Sequence, residues 1–161
     1  MEEFTDYKKQ FELIGKIPYL KNLQFEDRKT LGHHSFLRSY SPNEKIIEQN
    51  EINLTLYFLI RGSVDIFIDN KRITSIRGGG KIFGEMSFVN HTSASADVVA
   101  SSEVVMMCMK IPDLLSLNTN DYLRLQRDLY QSIAEILAQK LLKTNELAQL
   151  YLNQGLTNDL D

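Results

Sequence analysis

The sequence predicts an α+β fold: an antiparallel β-roll of jelly-roll type, preceded by helices and followed by one long helix. Three observations carry that reading. Apolar residues near the N-terminus recur at intervals of three and four. Short alternating apolar runs with Gly, Asn, Pro and Ser between them then fill the middle of the chain. Beyond residue 120 neither glycine nor proline interrupts the chain until Gly155. Helical, then strand-like, then helical segments make an α+β layout.

The first stretch, about residues 4–38, is helical in pattern. Phe4, Tyr7, Phe11 and Ile14 sit on one face of an amphipathic helix, and Ile17-Pro18-Tyr19-Leu20 breaks it. Residues 24–31 read as a second, shorter helix. Strand-like runs follow at 45–47, 56–60, 64–68, 72–76, 96–100 and 103–106. Asp69-Asn70-Lys71 makes a hairpin turn between two of them, and Arg61-Gly62-Ser63 joins two more. Asn120 or Asp121 can cap the last helix, which runs to about residue 152. The division is therefore 1–120 for the roll with its helices, 121–152 for the long helix and 153–161 for a polar, frayed tail.

Composition excludes several classes of function. The 161 residues make one domain. A net charge of −3 gives no basic field for nucleic acid. No apolar run is long enough to span a membrane, and Met1-Glu2-Glu3-Phe4 is not the start of a signal peptide. The single cysteine, Cys108, lies in an apolar run and reads as a buried strand residue, which fits a reducing, cytoplasmic location. His33 and His34 are adjacent, so their side chains diverge on a helix and no metal site is expected. No nucleophile elbow or Ser/His/Asp pattern is present, and Gly78-Gly79-Gly80 lacks the arrangement of a nucleotide-binding P-loop. That triplet reads as a flexible entry to the segment after it. The chain is expected not to be an enzyme.

That next segment is the run from Gly80 through Phe83-Gly84-Glu85-Met86-Ser87 to Ala94-Ser95-Ala96-Asp97-Val98. It resembles the phosphate-binding cassette of cyclic-nucleotide-binding domains, G-x-x-F-G-E followed by a helical turn and R-S/T-A. Ile17-Pro18-Tyr19-Leu20, residues 41–51 and Tyr57-Phe58-Leu59-Ile60-Arg61-Gly62-Ser63-Val64 resemble other motifs of the same family. Two turn glycines of that pattern are Asn43 and Asn50 here, a tolerable exchange because Asn accepts positive φ. The match extends over nearly the whole chain.

The resemblance implies a pocket in which Gly84 lets the backbone approach a phosphate, Glu85 accepts from a ribose 2′-hydroxyl and Ser95 supports the phosphate. Phe83, Met86 and Ser87 complete the cassette. The family's arginine is replaced by Ala94. Arginine offers a fixed bidentate fork to a phosphate, which alanine cannot replace. Its loss should cost on the order of 2–5 kcal/mol and move a micromolar site to millimolar. His91, Lys81 and Arg77 are near in sequence, but Lys140 on the long helix is the best candidate for a substitute cation. Residues 140–148 resemble the dimer helix of the catabolite-activator branch, where a Thr-Ser pair reaches adenine across the dimer. Thr144 and Asn145 match that pair, and Lys140 matches a basic residue one turn earlier.

Tyr130, Ile133, Leu137, Leu141, Thr144, Ala148 and Tyr151 step by three and four and read as a seam for a parallel homodimer. Leu125, Leu129 and Ile136 form a second apolar strip facing the roll. About ten residues follow the dimer helix, and from Asp113 onward seven acids face four bases, so no helix-turn-helix is expected there and the tail reads as a natural end. The expected function is regulatory and non-enzymatic: a degenerate cyclic-nucleotide-binding fold acting through an unidentified protein partner, without nucleic acid or membrane and without a cofactor. The alternative is a genuine sensor of cyclic AMP or cyclic GMP with a different phosphate clamp, which repositions its C-terminal helix.

Overall fold

A computed structural model of the chain describes residues 2–21, 23–90, 92–116 and 120–158. A short strand β1 (Glu2–Phe4) opens it, followed by α1 (Tyr7–Lys16) and α2 (Phe25–His33). Phe4 thus belongs to a strand, paired with Leu37, rather than to the first helix. The helix begins later because Asp6 is its N-cap and accepts from the Lys9 N–H at 3.1 Å.

Among the described residues, nine strands form two antiparallel sheets. The first has the order β1-β2-β9-β4-β7, with β2 (Ser35–Tyr40), β9 (Val104–Lys110), β4 (Thr55–Arg61) and β7 (Ile82–Phe83). The second has the order β3-β8-β5-β6, with β3 (Lys45–Ile47), β8 (Asp97–Ala100), β5 (Ser63–Ile68) and β6 (Lys71–Arg77). β2 replaces the tail of the predicted helical stretch. Ile68 pairs with Lys71 across a two-residue turn in which Asp69 and Asn70 have φ of 49° and 64°. That is the turn a right-twisted hairpin needs. Arg61-Gly62-Ser63 makes no hairpin, because β4 and β5 lie in different sheets; it carries the chain from one to the other. Asn43 and Asn50 take φ of 70° and 67°, as their place in the turns requires.

Two cores explain the layers. Phe36, Tyr57, Leu59, Met106 and Cys108 pack with Val64, Val98 and Ala100 between the sheets. Leu37, Phe58, Met107 and Met109, their neighbours along the same strands, pack outward against the helices. The first sheet is therefore buried on both faces, which accounts for the unbroken apolar run Val104-Val105-Met106-Met107-Cys108-Met109. Burial there, followed by the neighbouring Cys108, pushes the Tyr40 and Tyr57 phenols above their ordinary value.

A short α3 (Glu85–Asn90) follows β7, and α4 (Ile111–Leu115) leads to α5 (Asn120–Asn158). The side chains of Asn120 and Asp121 lie outside the described set. α5 continues beyond residue 152 and through Gly155. A glycine within a helix costs about 1 kcal/mol and need not end it.

The first half of α5 corrects the predicted seam. Ile133 is buried in the chain's own core together with Leu125, Leu129 and Ile136, and Tyr130 and Leu137 pack against it. Both apolar strips serve one core over this half, because β4, β7 and the N-terminal helices surround it. From residue 138 to 152 every position is exposed.

Candidate functional site

The cassette is positioned by β4. β7 pairs with it through Tyr57–Phe83 and Phe58–Ile82. Gly84 then turns the chain with φ of +81° into α3. A Cβ at Gly84 would lie 2.3 Å from the Thr55 carbonyl oxygen and 2.5 Å from Asn53 Nδ2, so only glycine fits. Asn53 is a contributor that no motif pointed to. Its amide donates to the Thr55 carbonyl at 2.8 Å and shapes the loop against which Gly84 packs. The glycine triplet is tethered rather than loose: the Gly80 N–H donates to the Leu59 carbonyl at 2.8 Å and that of Gly78 to the Gly62 carbonyl at 3.3 Å.

A cavity of about 150 Å³ lies between this segment and the inner face of the second sheet. Phe83, Gly84, Glu85, Met86, Ser87, Ala94 and Ser95 all line it, as does Lys140. Ile47, Ile66, Ile76, Ala96 and Val98 supply an apolar wall, of which Ile66 and Ile76 lie outside the resembling motifs. The alternation of Val64 and Ile66 in β5 was the available signal, since it aims both inward. Thr144 and Asn145 do not reach the cavity. Both are exposed, and the Thr144 hydroxyl donates to the Lys140 carbonyl of its own helix at 2.9 Å. His91 lies outside the described residues, and Lys81 and Arg77 are exposed and do not line the cavity.

Ala94 is fixed by its backbone. Its N–H donates to the Glu51 carbonyl at 2.9 Å, and its carbonyl accepts from Asn50 at 2.8 Å. Ala94 is 7% exposed and lines the cavity, where a guanidinium would be expected.

Lys140 and Glu85 meet at this site. Lys140 Nζ donates to Glu85 Oε1 at 2.7 Å and to the Ile82 carbonyl at 3.3 Å. The Glu85 side chain is 6% exposed and that of Lys140 is 47% exposed. A carboxylate so buried requires a partner, and the half-exposed lysine brings one. The ion pair also fastens α5 to the cassette. The Tyr130 ring rests 5.0 Å from that of Phe88 on α3, and the Tyr19 hydroxyl donates to Gln139 at 3.1 Å. The arrangement therefore offers an acceptor already bonded by the chain, two serine hydroxyls and an apolar wall. Glu85 is the one carboxylate among the described lining residues. No group of three His, Cys, Asp or Glu able to hold a metal occurs among the described residues. No described helix is long and apolar enough to cross a membrane.

Comparison with known proteins agrees with this geometry. The model of a family described as the cyclic nucleotide-binding domain matches residues 37–121. The type II regulatory subunit of cAMP-dependent protein kinase from Drosophila melanogaster is 30% identical over 136 residues, 74% of this chain and 35% of that protein. The regulatory subunit of a cAMP-independent protein kinase A from Trypanosoma brucei superposes with a TM-score of 0.61 at 27% identity, covering 65% of this chain and 39% of that one. The catabolite activator protein of Thermus thermophilus shares the fold, with a TM-score of 0.67 at 22% identity over 83% of this chain and 62% of that one. The chain spans about a third of the length of the curated relatives it matches.

Proposed function

The chain belongs to the cyclic nucleotide-binding domain family, and within it we propose a non-enzymatic regulatory module that acts through protein contacts and binds cyclic nucleotides weakly or not at all. The observation that carries this reading is the 2.7 Å ion pair between Lys140 and Glu85, in a cavity where Ala94 stands in place of an arginine. A cyclic phosphate is an anion, and its burial needs a paired cation. Lys140, the one lysine among the described lining residues, already neutralises Glu85, the carboxylate that would receive a ribose hydroxyl. The Trypanosoma relative, described as part of a cAMP-independent kinase, is a precedent for such a module. Relatives described as regulatory subunits of protein kinases support a non-catalytic role beside a protein partner. The single buried cysteine fits work in the reducing cytoplasm.

A second reading, a genuine cyclic-nucleotide sensor, is favoured by one specific fact: Lys140 belongs to α5. A ligand whose hydroxyl took over Glu85 would release Lys140 and with it the helix, so occupancy would shift the position of α5. Calorimetric titration of the chain with cyclic AMP and cyclic GMP separates the two. The first reading expects no binding tighter than about 1 mM. Micromolar binding that disappears in Glu85→Ala would establish the sensor and end the first reading.

A further inference from the structure

The cassette cavity holds more polar capacity than the chain itself uses. Glu85 Oε1 receives Lys140 Nζ at 2.7 Å, while Glu85 Oε2 has no hydrogen-bond partner among the described residues. Ser87, on the same short helix, is 4% exposed and lines the cavity, and its hydroxyl has no partner among those residues either. Ser95, which is exposed, adds a second lining hydroxyl in the same condition. Buried oxygens in folded proteins are normally bonded, and one left unmatched favours any ligand that supplies the missing donor.

The charge of the cavity decides what kind of ligand that is. Lys140 and Glu85 are the only charged side chains among the described lining residues, and they are paired with each other. An anion would have to draw Lys140 away and leave a carboxylate that is 6% exposed without its cation. A cation would be repelled by Lys140 at the same carboxylate. An uncharged ligand avoids both penalties. One hydroxyl donates to Glu85 Oε2 with the ion pair intact, and its neighbour donates to or accepts from a serine, since a hydroxyl does either.

The rest of the wall is apolar. Ile47, Ile66, Ile76 and Val98 line it, with Met86 beside them at 38% exposure. A methionine is unbranched and polarisable, and adapts to the surface of a planar ring. The cavity is thus divided into an oxygen-lined part along α3 and an apolar part along the second sheet. We propose that it takes an uncharged vicinal diol carrying a planar ring, a ribonucleoside without phosphate. The sugar hydroxyls meet Glu85 Oε2 and Ser87, and the base lies against the isoleucines and Met86. This assignment rests on the reading of the cavity as one without an anion clamp, and it names the ligand class of that same cavity.

Calorimetric titration of the full chain with adenosine tests it, beside 2′-deoxyadenosine, methyl β-ribofuranoside, adenosine 5′-monophosphate and cyclic AMP. Adenosine should bind more tightly than about 1 mM. Loss of one sugar hydroxyl should weaken binding about tenfold, and so should Ser87→Ala, which removes a single oxygen. Glu85→Gln keeps the shape of the side chain and should weaken adenosine by at least as much. Thermal unfolding of both variants checks that they are folded. Both phosphates should bind at least about tenfold more weakly than adenosine. Equal affinity for adenosine and its deoxy form would overturn the proposal, and methyl riboside binding as tightly as adenosine would overturn the ribonucleoside assignment in favour of a plain sugar. Silence from adenosine and from cyclic AMP up to about 10 mM sinks this proposal alone. Cyclic AMP binding as tightly as adenosine, at micromolar concentration, sinks the reading beneath it as well.

Discussion

On the proposed reading, the difference between this pocket and an anion-binding one comes down to single side chains. At position 94 the backbone is clamped on both sides by Asn50 and Glu51, so the residue there is held facing the cavity whatever its identity. Gly84 is a second such point. Gly84 and Gly78 share nearly the same backbone angle, +81° and +82°, but a Cβ at Gly84 meets the Thr55 carbonyl while one at Gly78 meets nothing within 4 Å. Gly78→Ala should therefore cost about 1–2 kcal/mol, the price of a left-handed alanine alone. Gly84→Ala should cost clearly more, at least about 3 kcal/mol, by denaturant titration, because strand β4 must also shift. Equal effects would mean that the close approach is unimportant. At this scale the sequence was legible where residue type dictates conformation. Asn43 and Asn50 could be read as left-handed turn residues because few other side chains tolerate that geometry. Asn53 could not, since its value lies in touching a glycine 31 positions away in the chain.

Among the elements, α5 carries most of the consequences. Its first half is core: Leu125, Leu129, Ile133 and Ile136 close the face of the first sheet. Its start is fixed by Arg124, whose guanidinium forms a two-pronged ion pair with Asp27 at 3.0 and 2.9 Å. Asp27 is 1% exposed. Arg124→Ala would leave that carboxylate buried without its cation and should destabilise the chain by about 3 kcal/mol, measured as a drop in the denaturation midpoint. Asp27→Asn with Arg124→Gln should recover much of the loss, as a neutral pair no longer leaves a buried charge. The existence and start of this helix were legible from its uninterrupted sequence, whereas its continuation past residue 152 was not. The division between its buried half and its exposed half was not, because a stripe with helical spacing looks the same whether it faces its own core or a partner. β1 was missed for a related reason: Phe4 fits the spacing of the helix that begins three residues later, but the strand is defined by pairing with β2, a contact more than thirty residues away.

For the whole molecule, the order of elements was readable and the assignment of strands to sheets was not. β4 and β5 are consecutive in sequence yet belong to different sheets, and β9 lies between β2 and β4. Such pairing is set by burial of both faces of the first sheet, which local alternation does not encode. The resulting architecture places the cassette and α5 on the same side of β4, so that one lysine spans them. On the proposed reading, the pairing of Lys140 with Glu85 takes the place of an anion clamp in the cavity. The most direct test of that reading is the cyclic AMP affinity of Ala94→Arg, alone and combined with Lys140→Ala, by calorimetry. Restoring a charge-assisted partner worth about 2 kcal/mol or more predicts a gain of roughly 30-fold or greater for the arginine variant, and a further gain when Lys140 no longer competes for Glu85. An arginine at position 94 that brings no affinity, with or without Lys140, would contradict the account.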